Sequence, residues 1–503
     1  MEYILGEQVL LRGYLDMPYA AYFRGSSDAM EITREELRIL ERTYEPCSQR
    51  MLEAEAQAYE PCSQRGLEAE AQGWKRLRRM GLIEPWREGR RVKAFQRYRR
   101  CDNTYMPAAN WAITGKCNYN CLHCFNASGN QGSYEEFSRE EALRLVDCFD
   151  ECGIVNITIT GGEPTLHPNL TEVIHRMEER GLVLSELTTN GERITQAFLD
   201  ELSGLSYKPL FKVSFDGLGH HDWLRNRAGS EERTIERIRL LVENGFPVQI
   251  QTSVHRKNMD SILPTARFFD EMGVPYMRII RTSESPRWVR NGQEYTLSIP
   301  EYYRFALNFV EQYADTGGNM RIYLWQILSM RPKTRTYSHS NVHIHPLGYR
   351  EDIPVCMHNK RRISITPSGE AVPCSQMSGW LKDKGITFEN VRRRPLAEIL
   401  KESGYLKMVN YSVGELYARA EESCGACGYK RVCLGGCRAC AVLFDGQKLR
   451  PAPEEGDPLS PYYGSPDPLK CLFFSDFKRK FDQLFDQKGW SCENNFDLQP
   501  VPG

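Results

Sequence analysis

The stretch Trp111-Ala-Ile-Thr-Gly-Lys-Cys117-Asn-Tyr-Asn-Cys121-Leu-His-Cys124 decides the fold. It opens as a short strand-like run and continues into three cysteines spaced C-x3-C-x2-C. Three thiolates on one tight loop suit three irons of a cubane, since cysteine thiolates are the usual holders of iron–sulfur clusters. A four-iron cluster held this way keeps one iron open to a small chelating ligand. Structural zinc needs four closed ligands, and His123, adjacent to Cys124, is poorly placed to be the fourth.

Working outward, six strand-like runs alternate with helical ones. They lie near Trp111–Thr114, Val155–Thr160, Leu184–Thr189, Phe211–Phe215, Val248–Val254 and Met277–Arg281. Ser138-Arg-Glu-Glu141 is a capping box, and Gly181 and Gly245 stand where left-handed helix caps are expected. Such alternation predicts an α/β fold with a parallel sheet and helices outside it. Six repeats rather than eight predict an open partial (β/α)6 barrel, with the chemistry at the C-terminal strand ends.

Here the chain resembles the radical S-adenosylmethionine (SAM) enzymes, whose C-x3-C-x2-C loop follows the first barrel strand. The resemblance assigns Cys117, Cys121 and Cys124 to a 4Fe-4S cluster whose open iron takes the amino and carboxylate groups of SAM. Gly161-Gly162-Glu163-Pro164 follows the second strand, where the family has a motif contacting the methionine amino group. Two glycines let backbone approach a ligand, and a carboxylate balances an ammonium. Asn190, in Thr189-Asn190-Gly191, and Ser214 and Asp216, in Ser214-Phe-Asp216-Gly217, fall where family residues contact the cofactor. The implied chemistry is one-electron reduction of SAM to methionine and a 5′-deoxyadenosyl radical, which abstracts a substrate hydrogen. Arg225 is either a SAM or substrate contact or a surface pair, and no general base is evident.

A second set of cysteines reads Cys356-x12-Gly369-x4-Cys374, then Cys424-x2-Cys427-x5-Cys433-x3-Cys437, then Cys471. This resembles the SPASM extension, which holds two auxiliary iron–sulfur clusters, expected to be 4Fe-4S. By that resemblance Cys356, Cys374 and Cys437 serve the first, and Cys424, Cys427, Cys433 and Cys471 the second. The fourth position of the first is left to Cys440, His358 or an open iron. Of 17 cysteines, Cys47, Cys62, Cys101, Cys148, Cys152, Cys440 and Cys492 remain unassigned.

Residues 1–105 read as a separate unit. A capping box at Thr33–Glu36, a second helix from Trp74 and a hairpin around Trp86–Val92 predict a winged helix. Within it, 44–58 and 59–73 form a tandem repeat differing only at Met51/Gly66 and Ala58/Gly73, read as a duplicated surface insertion. Between 74 and 100, eleven Lys or Arg stand against two Glu. The domains are then 1–105, the barrel at 106–300, a connecting region at 301–355 and the cluster-binding extension at 356–503.

Composition narrows the function. Lys plus Arg total 65 against 66 Asp plus Glu in 503 residues, which argues against a nucleic-acid-coating protein. No run approaches a membrane span. Clustered cysteines in a long chain read as metal ligands rather than a disulfide framework, and reduced clusters imply the cytoplasm. The N-terminal unit resembles the leader-recognition domain of peptide-maturing radical enzymes, and its basic excess suits an acidic leader. The resemblance therefore implies maturation of a ribosomally made precursor peptide, such as thioether crosslinking, with a flavodoxin or ferredoxin as electron donor. The alternatives are an anaerobic sulfatase-maturating enzyme, disfavoured because Ser375 stands where an acidic base is expected, and a DNA-binding iron–sulfur sensor.

Overall fold

The computed structural model describes residues 1–26, 28–57, 73–126, 135–340, 350–420, 422–443 and 464–494. The second repeat copy up to residue 72, with Cys62, lies outside these; Cys47 of the first copy is buried.

The N-terminal region forms β1 (Glu2–Leu5), β2 (Val9–Gly13), β3 (Ala20–Phe23), β4 (Met30–Glu31), β5 (Cys47–Ser48), β6 (Ile83–Pro85) and β7 (Arg99–Arg100). They make two small sheets, ordered β5-β1-β6 and β4-β3-β2-β7. Helix Arg34–Arg42 starts at its capping box, where Thr33 Oγ1 accepts from Glu36 N (3.1 Å) and Glu36 accepts from Thr33 N (3.0 Å). The helix near Trp74 spans Gly73–Arg79 and buries Trp74 and Leu77. The expected hairpin over Trp86–Val92 does not form. Gly89 turns the chain at φ +82°, Trp86 Nε1 donates to Arg90 O, and β6 pairs instead with β1. Much of the basic excess is spent internally: Arg76 pairs with Glu36, Arg90 with Glu84, Arg97 with Glu45 and Arg99 with Asp150.

All six predicted barrel strands are present: β8 (Ala108–Thr114), β9 (Asn156–Gly161), β10 (Val183–Thr189), β11 (Leu210–Ser214), β12 (Val248–Val254) and β13 (Tyr276–Arg281). They are parallel and adjacent in chain order. The sheet continues past them. β14 (Arg321–Leu324) joins β13 in parallel, and β15 (Leu328–Arg331) and β16 (Thr336–His339) follow antiparallel. On the other side β17 (Arg362–Ile365) runs parallel to β8 and carries β18 (Ala371–Val372), while β19 (Ser491–Cys492) pairs with β16. The boundaries drawn at 300 and 356 thus cut through one twelve-stranded sheet.

Apolar residues such as Ile157, Ile159, Leu187, Phe211, Val213, Ile250, Met277 and Ile279 join the main core. Their strand neighbours Thr158, Glu186, Lys212, Gln249, Gln251 and Arg278 occupy the opposite face, because successive side chains alternate across a strand. That face is the inside of a roll. Laid flat, β13 and β17 would sit six strand spacings apart, about 29 Å. Yet Arg278 on β13 and Arg362 on β17 both act on Glu186 and on His358.

The N-terminal region packs against this barrel through buried polar contacts. Arg24 donates to Gly181 O (3.0 Å) and pairs with Glu178 (3.2 Å). The Tyr14 and Tyr22 hydroxyls donate to Gly153 O. Asp150 takes Arg99 and lies 3.8 Å from the fully buried Arg12. Asp150→Ala leaves the Arg12 guanidinium without its carboxylate, and should cost about 3 kcal/mol. Limited proteolysis of the holoprotein is expected to cleave near residue 105 before the barrel is cut. Unchanged protection there would show that this contact does not hold the two regions together.

Candidate functional site

The cysteine loop leaves β8 at Thr114 and is clamped by the end of β9. Gly162 N donates to Thr114 O (2.7 Å) and Glu163 N to Lys116 O (2.8 Å). The approach is so close that a Cβ on Gly162 would lie 2.1 Å from Lys116 O, and one on Gly161, at φ +149°, 2.3 Å from Thr114 O. The two glycines therefore admit the stem of the cysteine loop. Cys117 Sγ accepts from Tyr119 N (3.4 Å), and Leu122 N donates to Leu224 O (2.9 Å).

Glu163 is fully buried. One carboxylate oxygen accepts from Thr165 Oγ1 (2.6 Å) and Thr189 Oγ1 (2.7 Å), the other from Asn190 N (2.7 Å). Burial pushes its pKa up despite these donors. Pro164 opens the short helical turn that Glu163 caps. Asn190 Nδ2 donates to Asn118 Oδ1 (2.8 Å), tying the end of β10 to the cysteine loop. Thr165 and Asn118 carry no motif signal of their own; like Thr189, they orient Glu163 and Asn190.

Ser214 ends β11 on the lumen face, two residues after Lys212. Asp216 is fully buried and its carboxylate is already engaged: Arg225 Nε donates at 2.6 Å and Ser253 N at 2.9 Å. Burial acts to raise its pKa, but Arg225 and His221 overcome this and hold it far below the usual carboxylate range. Asp216 is thus placed to work through Arg225, whose Nη1 lies 3.8 Å from Cys121 Sγ. This resolves Arg225 as a buried bridge between an aspartate and the cysteine loop rather than a surface pair. His123, next to Cys124, has a buried Nδ1 without a hydrogen-bond partner, and burial, with Arg225, lowers its pKa to about 3. His255 is similarly neutral, lowered to about 4 by burial, while His220 is partly exposed.

The second cysteine set separates into two groups. Cys356, Cys374 and Cys437 act on one another electrostatically; burial pushes Cys356 to about 11 and Cys374 to about 12. Cys471 acts with Cys424 and Cys427, and Cys433 with Cys471, these last two pushed by burial to about 12. Cys440 is fully buried and its thiol hydrogen-bonds Cys437, which lowers Cys437. Asp467 Oδ2 accepts from Cys437 N (2.7 Å), joining the two groups. Partly buried thiols such as Cys356, Cys374 and Cys433 fit a cluster site, because coordination deprotonates a thiol outright and supplies positive charge. Among the described residues no three His, Cys, Asp or Glu side chains converge closely enough for a single ion. A cubane spreads its thiolates over separate corners and needs the wider spacing.

Residues 111–269 match the family model of the radical SAM superfamily, and residues 356–428 that of SPASM, an iron–sulfur cluster-binding domain. The chain is 27% identical over 349 residues to the AdoMet-dependent heme synthase of Methanosarcina barkeri, covering 68% of this chain and 94% of that protein. It is 24% identical over 338 residues to the PqqA peptide cyclase of Granulibacter bethesdensis, covering 66% and 83%. Its fold resembles Streptococcus suis SuiB in crystal structures bound to S-adenosylmethionine (15% identity) and to precursor peptide SuiA (14% identity). Each match has a TM-score of 0.60 over 93% of this chain and 99% of that one.

Two substitutions test the site. Gly162→Ala should displace the Lys116 carbonyl and with it the cysteine loop. Iron in the reconstituted protein should fall by about one cluster, while Gly204→Ala, whose added Cβ meets only an ordinary contact at 3.5 Å, keeps full iron. Cys440→Ala removes the side chain that hydrogen-bonds Cys437. Iron content is expected to stay whole while the electron paramagnetic resonance (EPR) signal of an auxiliary cluster shifts; loss of iron would make Cys440 a ligand.

Proposed function

We propose that this chain, a radical SAM enzyme with a SPASM domain, matures a ribosomally made precursor peptide. Such an enzyme uses a 4Fe-4S cluster with S-adenosylmethionine, and auxiliary iron–sulfur clusters in its SPASM domain. The observation carrying the peptide reading is that the likeness to SuiB, a protein seen with precursor peptide SuiA bound, extends over 93% of this chain. The similarity to a PqqA peptide cyclase supports the same substrate class.

In this reading Cys117, Cys121 and Cys124 hold the SAM-binding cluster, and Cys356, Cys374, Cys424, Cys427, Cys433, Cys437 and Cys471 hold the auxiliary ones. When bound, cluster and SAM would supply the one-electron chemistry needed for hydrogen-atom abstraction from the peptide. The chain's own residues orient and enclose this chemistry. Gly161 and Gly162 hold the cysteine loop against β9. Thr165 and Thr189 fix the Glu163 carboxylate, Asn190 braces the loop through Asn118, and Ser214 offers a hydroxyl at the end of β11. Asp216 holds the Arg225 guanidinium beside Cys121, where a fixed cation stabilises negative charge on the cluster's thiolates. Residues 1–105, a winged-helix-like unit, capture the leader, and extended peptide adds along a sheet edge. The enzyme works in the cytoplasm with a flavodoxin or ferredoxin as donor. No helix among the described residues is long and apolar enough to cross a membrane.

A second reading, a reaction on a heme precursor, is favoured by the 27% identity to a heme synthase over 68% of this chain. The deciding experiment reconstitutes the protein anaerobically, reduces it and supplies SAM with peptides encoded beside its gene. A loss of two mass units from one peptide is expected, with 5′-deoxyadenosine formed alongside. Unmodified peptides together with turnover of a heme precursor would reverse the order of the two readings.

A further inference from the structure

The lumen of the barrel holds a charged layer that the cofactor chemistry does not use. Glu186 on β10 pairs with Lys212 on β11 (2.7 Å) and lies 3.7 Å from Arg362 on β17. Thr158 completes the group: its hydroxyl donates to Glu186 (2.8 Å) and accepts from Arg362 (2.6 Å). Arg278 on β13 faces the same space, in register with Gln251. Among the described residues no carboxylate comes within ion-pair distance of Arg278, and Glu186 is the one carboxylate acting on it. Three cations therefore meet a single carboxylate already bound by two of them.

The position of this layer matters. Lys212 precedes Ser214 by two residues on the same face, so the layer lies about 7 Å below the strand end that carries Ser214. Arg278 is also near enough to Cys437 to interact with it electrostatically. The surplus charge thus sits between the end of β11 and a cysteine of the auxiliary set. A structural network would neutralise itself, because a cation left without a partner in a half-buried chamber gains little from being there. A guanidinium left without an acid partner is instead complementary to an incoming carboxylate, which it can grip with two parallel hydrogen bonds.

The geometry points to a carboxylate-binding subsite in the lumen, in which Arg278, backed by Lys212 and Arg362, seats an Asp or Glu side chain of the substrate peptide. The peptide part of this statement rests on the function proposed above; the carboxylate part does not.

The experiment uses the reconstituted holoprotein and two small probes of one shape, N-acetylglutamate amide and N-acetylglutamine amide. At millimolar concentration the acid should shift the EPR signal of the reduced auxiliary clusters, and the amide should not. Arg278→Met should abolish the response, while Arg278→Lys keeps a weakened one, with iron content measured in each. For any peptide that the enzyme modifies, replacing the acidic residue nearest the modified position by its amide should raise KM about 10- to 100-fold, and only in the wild type. Equal effects of acid and amide, or an undiminished response in an iron-replete Arg278→Met, would overturn the subsite. Should Arg278→Met lose iron, Arg278→Lys and the acid–amide contrast decide. Peptide modification indifferent to acidic residues sinks this inference and leaves the peptide function standing. An Arg278-dependent acid response without any peptide modification does the reverse.

Discussion

Everything at the strand ends depends on one backbone contact, the seating of Gly161 and Gly162 against Thr114–Lys116. Only residues without a Cβ allow β9 to come this close to the exit of β8. The amides of Gly162 and Glu163 then hold the Thr114 and Lys116 carbonyls, and the next residues, Cys117 to Cys124, project over the barrel mouth. The same contact directs the Glu163 side chain inward, where Thr165, Thr189 and the Asn190 amide receive it. A larger residue at position 162 would move the loop and the carboxylate together.

Charge is arranged in layers around that contact. Near the mouth, Asp216 and Arg225 form a buried pair against Cys121, and each would be poorly tolerated without the other. Deeper in the lumen, Glu186 is held ionised, at about 2, because Lys212 and Arg362 outweigh its burial. Arg278 is left over. The apolar side of the same strands carries the main core, so one sheet separates a packed hydrophobic layer from a polar chamber. Fully buried parallel strands read as continuous apolar runs; Ile157-Thr-Ile159 and Phe211-Lys-Val213 alternate because their second face lines that chamber.

The alternation also explains what was legible beforehand. Six strands could be placed from sequence because helical runs separate them and each carries its own pattern. β14 and β17 were not, since four residues are too few to show a period and both are strands only by pairing with β13 and β8. The hairpin expected at Trp86–Val92 failed for a related reason: the edge available to Ile83–Pro85 was β1, eighty residues away in the chain. Asp216 and Arg225 both stand out in the sequence, but the bond from the Ser253 amide to Asp216, 37 residues on, comes from a neighbouring strand that no local pattern reveals.

By itself the sequence determined the chemistry that spacing encodes. Thiolates separated by three and two intervening residues belong to one loop whatever surrounds them, and a strand–loop–helix rhythm repeated six times implies a parallel sheet. Tertiary structure alone decided which charges face each other. Glu186, Lys212, Arg278 and Arg362 span 177 positions of chain, and they share one space only because the sheet that bears them is rolled.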